Sequence, residues 1–416
     1  MERRVVVTGI GIVSPVGLTR DTTWTNLLAG TSGIGYISSF DAEEFETTIA
    51  GEADGFDPTN YVGRKQARRM DRYVQLGVAA TLEAVEHSGL KITPENAERV
   101  AVIVSSGIGG IITMSEQVGV LNEKGPSRVS PFLVPMMLPD MASGQISMLL
   151  GAKGPNFTTV SACSSGADAI GVALDLIRSG RADIALAGGC EAAICPIGIA
   201  GFNSCKALSK NNSDPQKASR PFDTERDGFV MGEGGAVLVL ETMKSAIDRG
   251  ATPIAELTGY GPTADAYHIT QPAPEGEGGA RAMKIALADA GISPNDIDYI
   301  NAHGTSTVLN DKNETMAMKS VFGDHARTVA ISSTKSMTGH LLGASGSLEA
   351  ALSTMVIERG QVPPTINLDI PDADCDLDYT ANAAKSISAE TVMTNSFGFG
   401  GHNSSLIFRK PQDGAA

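Results

Sequence analysis

The stretch Ser165–Gly180, SGADAIGVALDLIRSG, recurs 180 positions later as Ser345–Gly360, SGSLEAALSTMVIERG. The two copies share the leading Ser-Gly, Ile177 with Ile357, and the closing glycine. Each reads as a buried helix stopped by glycine, which accepts the left-handed conformation that ends helices. A looser match relates EAVEHSGLKITPENAERVAVIVSSG to IALADAGISPNDIDYINAHG, each a helix, a glycine, a proline-containing turn and a strand. A chain written twice on one plan predicts two similar halves stacked back to back. The boundary is expected within Asp248–Pro253, giving an N-terminal half over 1–250 and a C-terminal half over 251–416.

Outward from the repeat, runs rich in Val, Ile, Ala and Thr fall at Val5–Val13, Val100–Ser105, Phe157–Ala162, Ile184–Ala187, Ala236–Leu240, Ile254–Gly259, Tyr299–Ala302, Val329–Thr334 and Leu406–Phe408. Helical periodicity separates several of them, as at Tyr73–Glu86 and Ala280–Ala288. Near-continuous apolar strands alternating with helices predict an α/β fold on buried, largely parallel sheets.

Composition narrows the function classes. Of 416 residues, 42% are hydrophobic and 19% charged, enough for a large core and unlike a disordered chain. A formal charge of -15 argues against a nucleic-acid-binding surface, so an anionic partner must find a local basic patch. GRKQARRMDR, with Arg64, Lys65, Arg68, Arg69 and Arg72, is such a patch. Five cysteines, an odd number without a CxxC pair or a Cys/His cluster, predict neither a disulfide framework nor a structural metal site. The longest apolar region, Ile184–Phe202, is broken by Glu191, Pro196 and glycines, so no membrane span is expected. The strand-like start VVVTGIGIV carries no secretory signal, and the protein is expected to be soluble and cytoplasmic.

Three groups stand where chemistry could occur. Cys163 lies in TVSACSSGADAIG, directly before the first repeat helix, where free N–H groups and the helix dipole favour a thiolate. The alternative is a small apolar residue filling a core, the commoner fate of a free cysteine. His303, in NAHGTST, and His340, in SSTKSMTGHLLGASG, each follow a strand end, the side of an open α/β sheet on which sites form. The remaining histidines receive a structural reading. In the two-halves arrangement Gly343 is equivalent to Cys163, which brings the His340 turn to the Cys163 turn across the pseudo-twofold axis. Glu349, on an otherwise apolar helix, needs a partner, and Lys335 supplies one either as a plain ion pair or as a pair orienting the histidines.

These motifs together resemble the β-ketoacyl-acyl-carrier-protein synthases, condensing enzymes with the thiolase fold. The resemblance runs nearly end to end, from VVVTGIGIVSPVG through ACSSG, RPFDTERDGFVMGEGG, DAYHIT, NAHGTST, DKNE and STKSMTGHLLGASG to NSFGFGGHN. It implies two related halves in a five-layer α-β-α-β-α arrangement and a homodimer. It also implies a decarboxylative condensation of malonyl-acyl carrier protein with an acyl chain on Cys163, lengthening that chain by two carbons. His303 and His340 would stabilise the enolate-like oxygen, with Lys335 and Glu349 supporting them, and the N–H groups of Cys163 and Phe399 would serve the second oxyanion. Asp311 and Glu314 match acidic positions of the adjoining motif. Phe399 resembles a gating aromatic. Thr305 and Thr307 resemble pantetheine ligands, and Asp265 in DAYHIT looks like the type II form.

Further positions follow from the same resemblance. Ile108 matches a side chain at the mouth of the acyl pocket and Phe202 another pocket residue; Lys65, Arg68, Arg69 and Lys206 match positions that dock an acidic acyl carrier protein. No cofactor is expected, although some relatives hold a monovalent cation near Asn301, Glu349 and Asn395. The Met-rich PFLVPMMLPDM, Pro131–Met141, departs from the pattern near the implied dimer interface and acyl tunnel, either adapting the tunnel or packing the interface. A thiolase would carry a late cysteine where GFGGHN stands, and an initiating synthase an asparagine at His340. The remaining alternatives are a noncatalytic chain-length partner subunit, disfavoured because Cys163 is intact, and a specialised polyketide-type condensing enzyme.

Overall fold

A computed structural model describes residues 3–412. Nine strands form one sheet: β1 (Val5–Val13), β2 (Val100–Ser105), β3 (Ile184–Glu191), β4 (Gly234–Thr242), β5 (Ala255–Ala264), β6 (Tyr299–Asn301), β7 (Ala330–Ser332), β8 (Thr391–Gly398) and β9 (His402–Arg409). Their order is β2-β3-β4-β1-β5-β9-β8-β6-β7. The two halves meet where β1 pairs antiparallel with β5, Val5 opposite Leu257. Outward from that seam, the halves follow the same plan. β1, β4, β3 and β2 correspond to β5, β9, β8 and β6, and a parallel bridge between Val102 and Asn156 takes the place that β7 fills in the second half.

Among the helices that build the layers are α1 (Arg72–Ser88), α2 (Ser165–Arg178), α3 (Glu277–Ala290), α4 (Val308–Phe322) and α5 (Ser345–Arg359). The repeat helices α2 and α5 pack between the half-sheets, in a core that joins Ile10, Ile103 and Leu238 of one half to Leu257, Val392 and Leu406 of the other. α1 covers the outer face of the first half-sheet against Val102, Leu186 and Val239. α3 and α4 cover the second against Ile300, Met393 and Ile407. This is the expected α-β-α-β-α stack. Residues Ser345 to Ile357 of α5 are all buried, as a helix enclosed on every side must be. The predicted glycine stops appear as left-handed residues, Gly180 at φ +75° and Gly360 at φ +66°.

Three expectations need correction. The sheet is mixed and not largely parallel: β2/β3, β6/β7 and β6/β8 are parallel, while β3/β4, β4/β1, β1/β5, β5/β9 and β9/β8 are antiparallel. Burial on both faces produces the same apolar runs in either direction, so the runs carry no direction. Phe157–Ala162 forms no strand beyond its neighbour's bridge, because it lies at an edge with Phe157 and Val160 exposed and no further strand beside it. β8 is missing from the strand-like runs, since Thr394, Asn395 and Ser396 put polar residues in a buried strand; Asn395 is held there by Ser405, which donates to its Oδ1 at 2.8 Å.

Candidate active site

The nucleophile candidate sits in a strained turn. Ala162 adopts φ +52°, and Cys163 follows in a 3-10 turn that runs into α2. Ser165 Oγ accepts the Ser161 N–H at 2.9 Å and donates to the Ala162 carbonyl at 2.7 Å, holding the turn closed. Ser161 Oγ donates to Asp168, which also accepts from Tyr260 of the opposite half at 2.9 Å. Ser164 Oγ lies 3.0 Å from both the Ser396 and His402 carbonyls, the two stems of the hairpin that carries Phe399.

The repeat rebuilds this turn 180 residues later. Leu342 adopts φ +49°, and Ser345 Oγ accepts the Leu341 N–H at 2.9 Å. Gly343 stands where Cys163 does. The two turns touch: a Cβ on Gly166 would lie 2.9 Å from the Gly343 carbonyl oxygen. His340 is thereby delivered to Cys163 across the pseudo-twofold axis.

Cys163, His303 and His340 all line one cavity of about 320 Å³, with Phe202, Lys206, Asp265, Thr305, Thr307 and Phe399 also in its walls. The imidazoles pack edge to face with centroids 5.3 Å apart. Lys335 Nζ donates to Glu349 and lies 3.3 Å from His303 Nδ1. An ammonium can only donate, so the His303 proton sits on Nε2. His340 Nδ1 lies 2.9 Å from Ser345 Oγ. The other partner of that oxygen, the Leu341 N–H, is itself a donor, so Nδ1 is the acceptor within reach of the hydroxyl hydrogen, and on that assignment His340 too carries its proton on Nε2.

Burial, then the nearby Lys335 charge, lowers both histidines well below the usual imidazole range, and each is neutral at pH 7. Burial pushes Glu349 up to about 7, against the opposing pull of Lys335. Glu314 accepts the His303 and Gly304 N–H groups at 2.8 Å each and is likewise pushed up to about 7 by burial. Asp311 accepts the Phe222 N–H at 2.8 Å with Arg226 nearby.

The resting thiol differs from expectation. The cavity walls enclose Cys163, and that desolvation pushes its thiol up to about 12. Lys335 and the Phe399 N–H, which hydrogen-bonds the thiol, pull in the other direction. A helix start favours thiolate, but loss of water outweighs it here.

Not every sequence candidate reaches the cavity. Ile108 is 37% exposed and outside its walls, on a loop that leans against Met137, whose carbonyl accepts the Gly110 N–H at 3.1 Å. Lys65, Arg68 and Arg69 are exposed on and just after the short helix Arg64–Ala67, also outside the cavity, and the Arg69 guanidinium lies 4.7 Å from the centre of the Phe132 ring. Asp265 lines the wall with its carboxylate occupied, accepting from Asn403 at 2.6 Å and the Ala273 N–H at 3.0 Å. Thr305 and Thr307 hydroxyls pair at 2.9 Å. Near the suggested cation position, both polar side-chain atoms of Asn301 and Glu349 Oε2 are buried without a hydrogen-bond partner. Among the described residues no group of three His, Cys, Asp or Glu is arranged to hold a metal ion.

Three site residues escaped the sequence reading. Phe229 packs edge to face on His340 at 5.2 Å, but nothing in GFVMGEGG marks it as an imidazole neighbour. Ser345 was detectable as the repeat equivalent of Ser165. Glu191 stood out only as an interruption of an apolar run, although a carboxylate at the end of a buried strand must have partners.

A doubled α/β fold presenting the Cys163 thiol to two neutral imidazoles defines a thiolase-like protein with a Cys-His-His site. Residues 2–246 match the beta-ketoacyl synthase N-terminal domain and residues 254–369 the C-terminal domain. The chain is 50% identical over 411 residues to a 3-oxoacyl-[acyl-carrier-protein] synthase 2 of Synechocystis sp., covering 99% of each chain. Among solved structures, a beta-ketoacyl synthase from Burkholderia phymatum superposes with TM-score 0.92 at 38% identity, covering 99% of this chain and 100% of that one. A type II polyketide ketosynthase in complex with its acyl-carrier protein superposes with TM-score 0.91 at 35% identity and the same coverage. The chain belongs to the beta-ketoacyl synthase family.

Proposed function

We propose that the protein catalyses the decarboxylative condensation of malonyl-acyl carrier protein with an acyl chain carried on Cys163, as in fatty acid elongation. The observation that carries this reading is the imidazole pair: with both Nδ1 atoms held from behind, two Nε2–H donors remain for a single oxygen in the cavity. In the first step Cys163 sulfur attacks the carrier thioester carbonyl. The new carbon–sulfur bond replaces the bond to the pantetheine sulfur, which leaves with the thiol proton. In the second step malonyl thioester releases carbon dioxide, and the bonding pair becomes an enolate whose oxygen accepts from His303 and His340. The enolate carbon attacks the acyl-cysteine carbonyl, and Cys163 thiolate departs and is reprotonated. The Phe399 N–H, already directed at the sulfur, and the Cys163 N–H would receive that second oxyanion.

The test is a carrier-based assay of Cys163→Ala and Cys163→Gln. Both should lose elongation while malonyl decarboxylation persists or rises; elongation by the alanine variant would overturn the reading. The intact thiol speaks against a noncatalytic partner subunit, and 50% identity to a 3-oxoacyl-[acyl-carrier-protein] synthase 2 favours fatty acid elongation over polyketide assembly. Acyl carrier protein as partner is supported by the related ketosynthase solved with its own carrier and by the exposed cationic residues Lys65, Arg68 and Lys206 in a chain of net charge -15.

The assembly we propose is a homodimer. Val134, Met148, Phe157 and Val160 are 56%, 67%, 38% and 55% exposed, an apolar area beside an edge segment that a second copy would cover. Sedimentation at micromolar concentration should show twice the chain mass; a monomer there would overturn this. Asn301 Oδ1 and Glu349 Oε2, buried and unpartnered, are suited to hold a monovalent cation. Replacing potassium and sodium by a bulky organic cation should then lower the thermal midpoint, and an unchanged midpoint would exclude the site. No helix of the described residues is long and apolar enough to cross a membrane. Five unpaired cysteines fit a reducing compartment such as the cytoplasm.

A further inference from the structure

Glu191 closes β3 at the end of the sheet that faces the site, and it is completely buried. Its Oε1 accepts from Ser106 Oγ at 2.6 Å, and its Oε2 accepts the Gly107 N–H at 2.8 Å and the Gly343 N–H at 3.1 Å. The partners are a hydroxyl and backbone N–H groups, in contrast to Glu349, which is paired with Lys335. The three anchored residues come from two distant parts of the chain. Ser106 and Gly107 follow β2, in the place that His303 and Gly304 hold after β6 in the second half. Gly343 lies three residues beyond His340, at the repeat position of Cys163.

The packing around the carboxylate leaves no slack. A Cβ on Gly343 would lie 2.6 Å from Glu191 Oε2 and 2.3 Å from the Gly107 nitrogen, and a Cβ on Gly107 would lie 3.1 Å from the Ala162 carbonyl oxygen. The two glycines are therefore what allow the carboxylate, the Gly107 loop and the strained Ala162–Cys163 turn to meet. On its other side the Gly107 loop is bound through the Gly110 N–H to the Met137 carbonyl at 3.1 Å.

We propose that Glu191 is a positioning residue for condensation: its buried carboxylate clamps the Gly107 loop to the Gly343 turn and so sets His340 against Cys163. This rests on the proposed condensation. The clamp acts through reach, because the Gly343 N–H is the most distant of its three ligands and is the one tied to His340. Shortening the side chain withdraws the carboxylate from Gly343, whereas an amide of the same length still presents an oxygen to both N–H groups.

The experiment compares Glu191→Asp with Glu191→Gln in the complete chain, using acyl- and malonyl-carrier protein for condensation and iodoacetamide for thiol access. Glu191→Asp should lower kcat for condensation and for malonyl decarboxylation at least tenfold, with KM for the carrier thioesters and the alkylation rate of Cys163 within twofold of wild type. Glu191→Gln should restore both kcat values to within threefold. An aspartate variant within threefold of wild type, or an amide variant as impaired as the aspartate, overturns the clamp. So does an aspartate variant whose alkylation and kcat fall together, the mark of general disorder. If Glu191→Asp does not fold, Ser106→Ala takes its place. It should cut decarboxylation at least threefold with alkylation unchanged, and no reduction overturns the proposal. A wild-type chain that fails to elongate in the same assay overturns the condensation reading and the clamp with it; when the wild type elongates, a failed outcome in the variants overturns the clamp alone.

Discussion

Ser165 and Ser345 make the same hydrogen bond in the two halves, each hydroxyl accepting the N–H of the residue four places earlier at 2.9 Å. In the first half this closes the turn that carries Cys163; in the second the same hydroxyl also reaches His340 Nδ1 at 2.9 Å. Ser345→Ala therefore removes the group that fixes the His340 tautomer and leaves a buried N–H unpaired. Malonyl decarboxylation should fall roughly tenfold, equivalent to about 1.4 kcal/mol of lost transition-state stabilisation. Alkylation of Cys163 should stay near wild type. Unchanged decarboxylation would show that the ring is held by other contacts.

α2 and α5 pack tightly at Gly346, where a Cβ would lie 2.7 Å from Ser396 Oγ and 2.8 Å from the Ala167 nitrogen. Gly346→Ala should cost about 1–3 kcal/mol by overpacking, measured by chemical denaturation. Gly119, on the helix Ile111–Lys124 with open space at its Cβ position, provides the contrast. Gly119→Ala should be neutral or stabilising by up to about 1 kcal/mol, because alanine is the better helix former.

His340 is held neutral, with its folded pKa well below the ordinary imidazole value of 6.5. The unfolded chain thus takes up a proton below pH about 6.5 that the folded chain refuses, so this histidine's linkage destabilises the fold progressively as pH falls through that value. It has no such effect above it. Comparing urea midpoints at pH 5.5 and pH 8, roughly one unit or more either side of that value, wild type should gain stability relative to His340→Gln on going to the higher pH. A constant difference between the two proteins would mean that the imidazole titrates normally.

Lys65 and Arg68 are exposed and lie outside the cavity, so their charges bear on docking and not on chemistry. Reversing both, Lys65→Glu with Arg68→Glu, should raise KM for carrier-linked substrates about tenfold or more at low ionic strength, with a smaller effect in salt. Activity on a small free thioester should stay within about twofold. Equal loss on both substrates would remove the docking role.

Much of the molecule was legible in one dimension because it is written twice. The repeat at Ser165 and Ser345 predicted paired helices, and the equivalence of Cys163 and Gly343 within it predicted that their turns come together across the pseudo-twofold axis. Local pattern failed wherever a third partner decides. β8 hid behind polar residues, of which Ser405 on the neighbouring strand holds Asn395, and Phe157–Ala162 has strand composition but no further strand beside it. Strand direction was invisible because burial on both faces gives the same residues either way.

By itself, the sequence determined the duplicated α/β plan, the turn geometry that only small residues permit, and the identity of the thiol and the imidazoles. Tertiary structure alone decided their chemical state. Desolvation by cavity walls drawn from both halves pushes the Cys163 thiol up to about 12, and burial beside Lys335 keeps both histidines neutral. Burial likewise decided the partners of Glu191, which are Ser106, Gly107 and Gly343. The physical reason is that side-chain type and spacing are local, whereas desolvation and hydrogen-bond partners come from residues brought together by the fold, such as Ser106, 85 positions from Glu191, and Gly343, 152 positions from it.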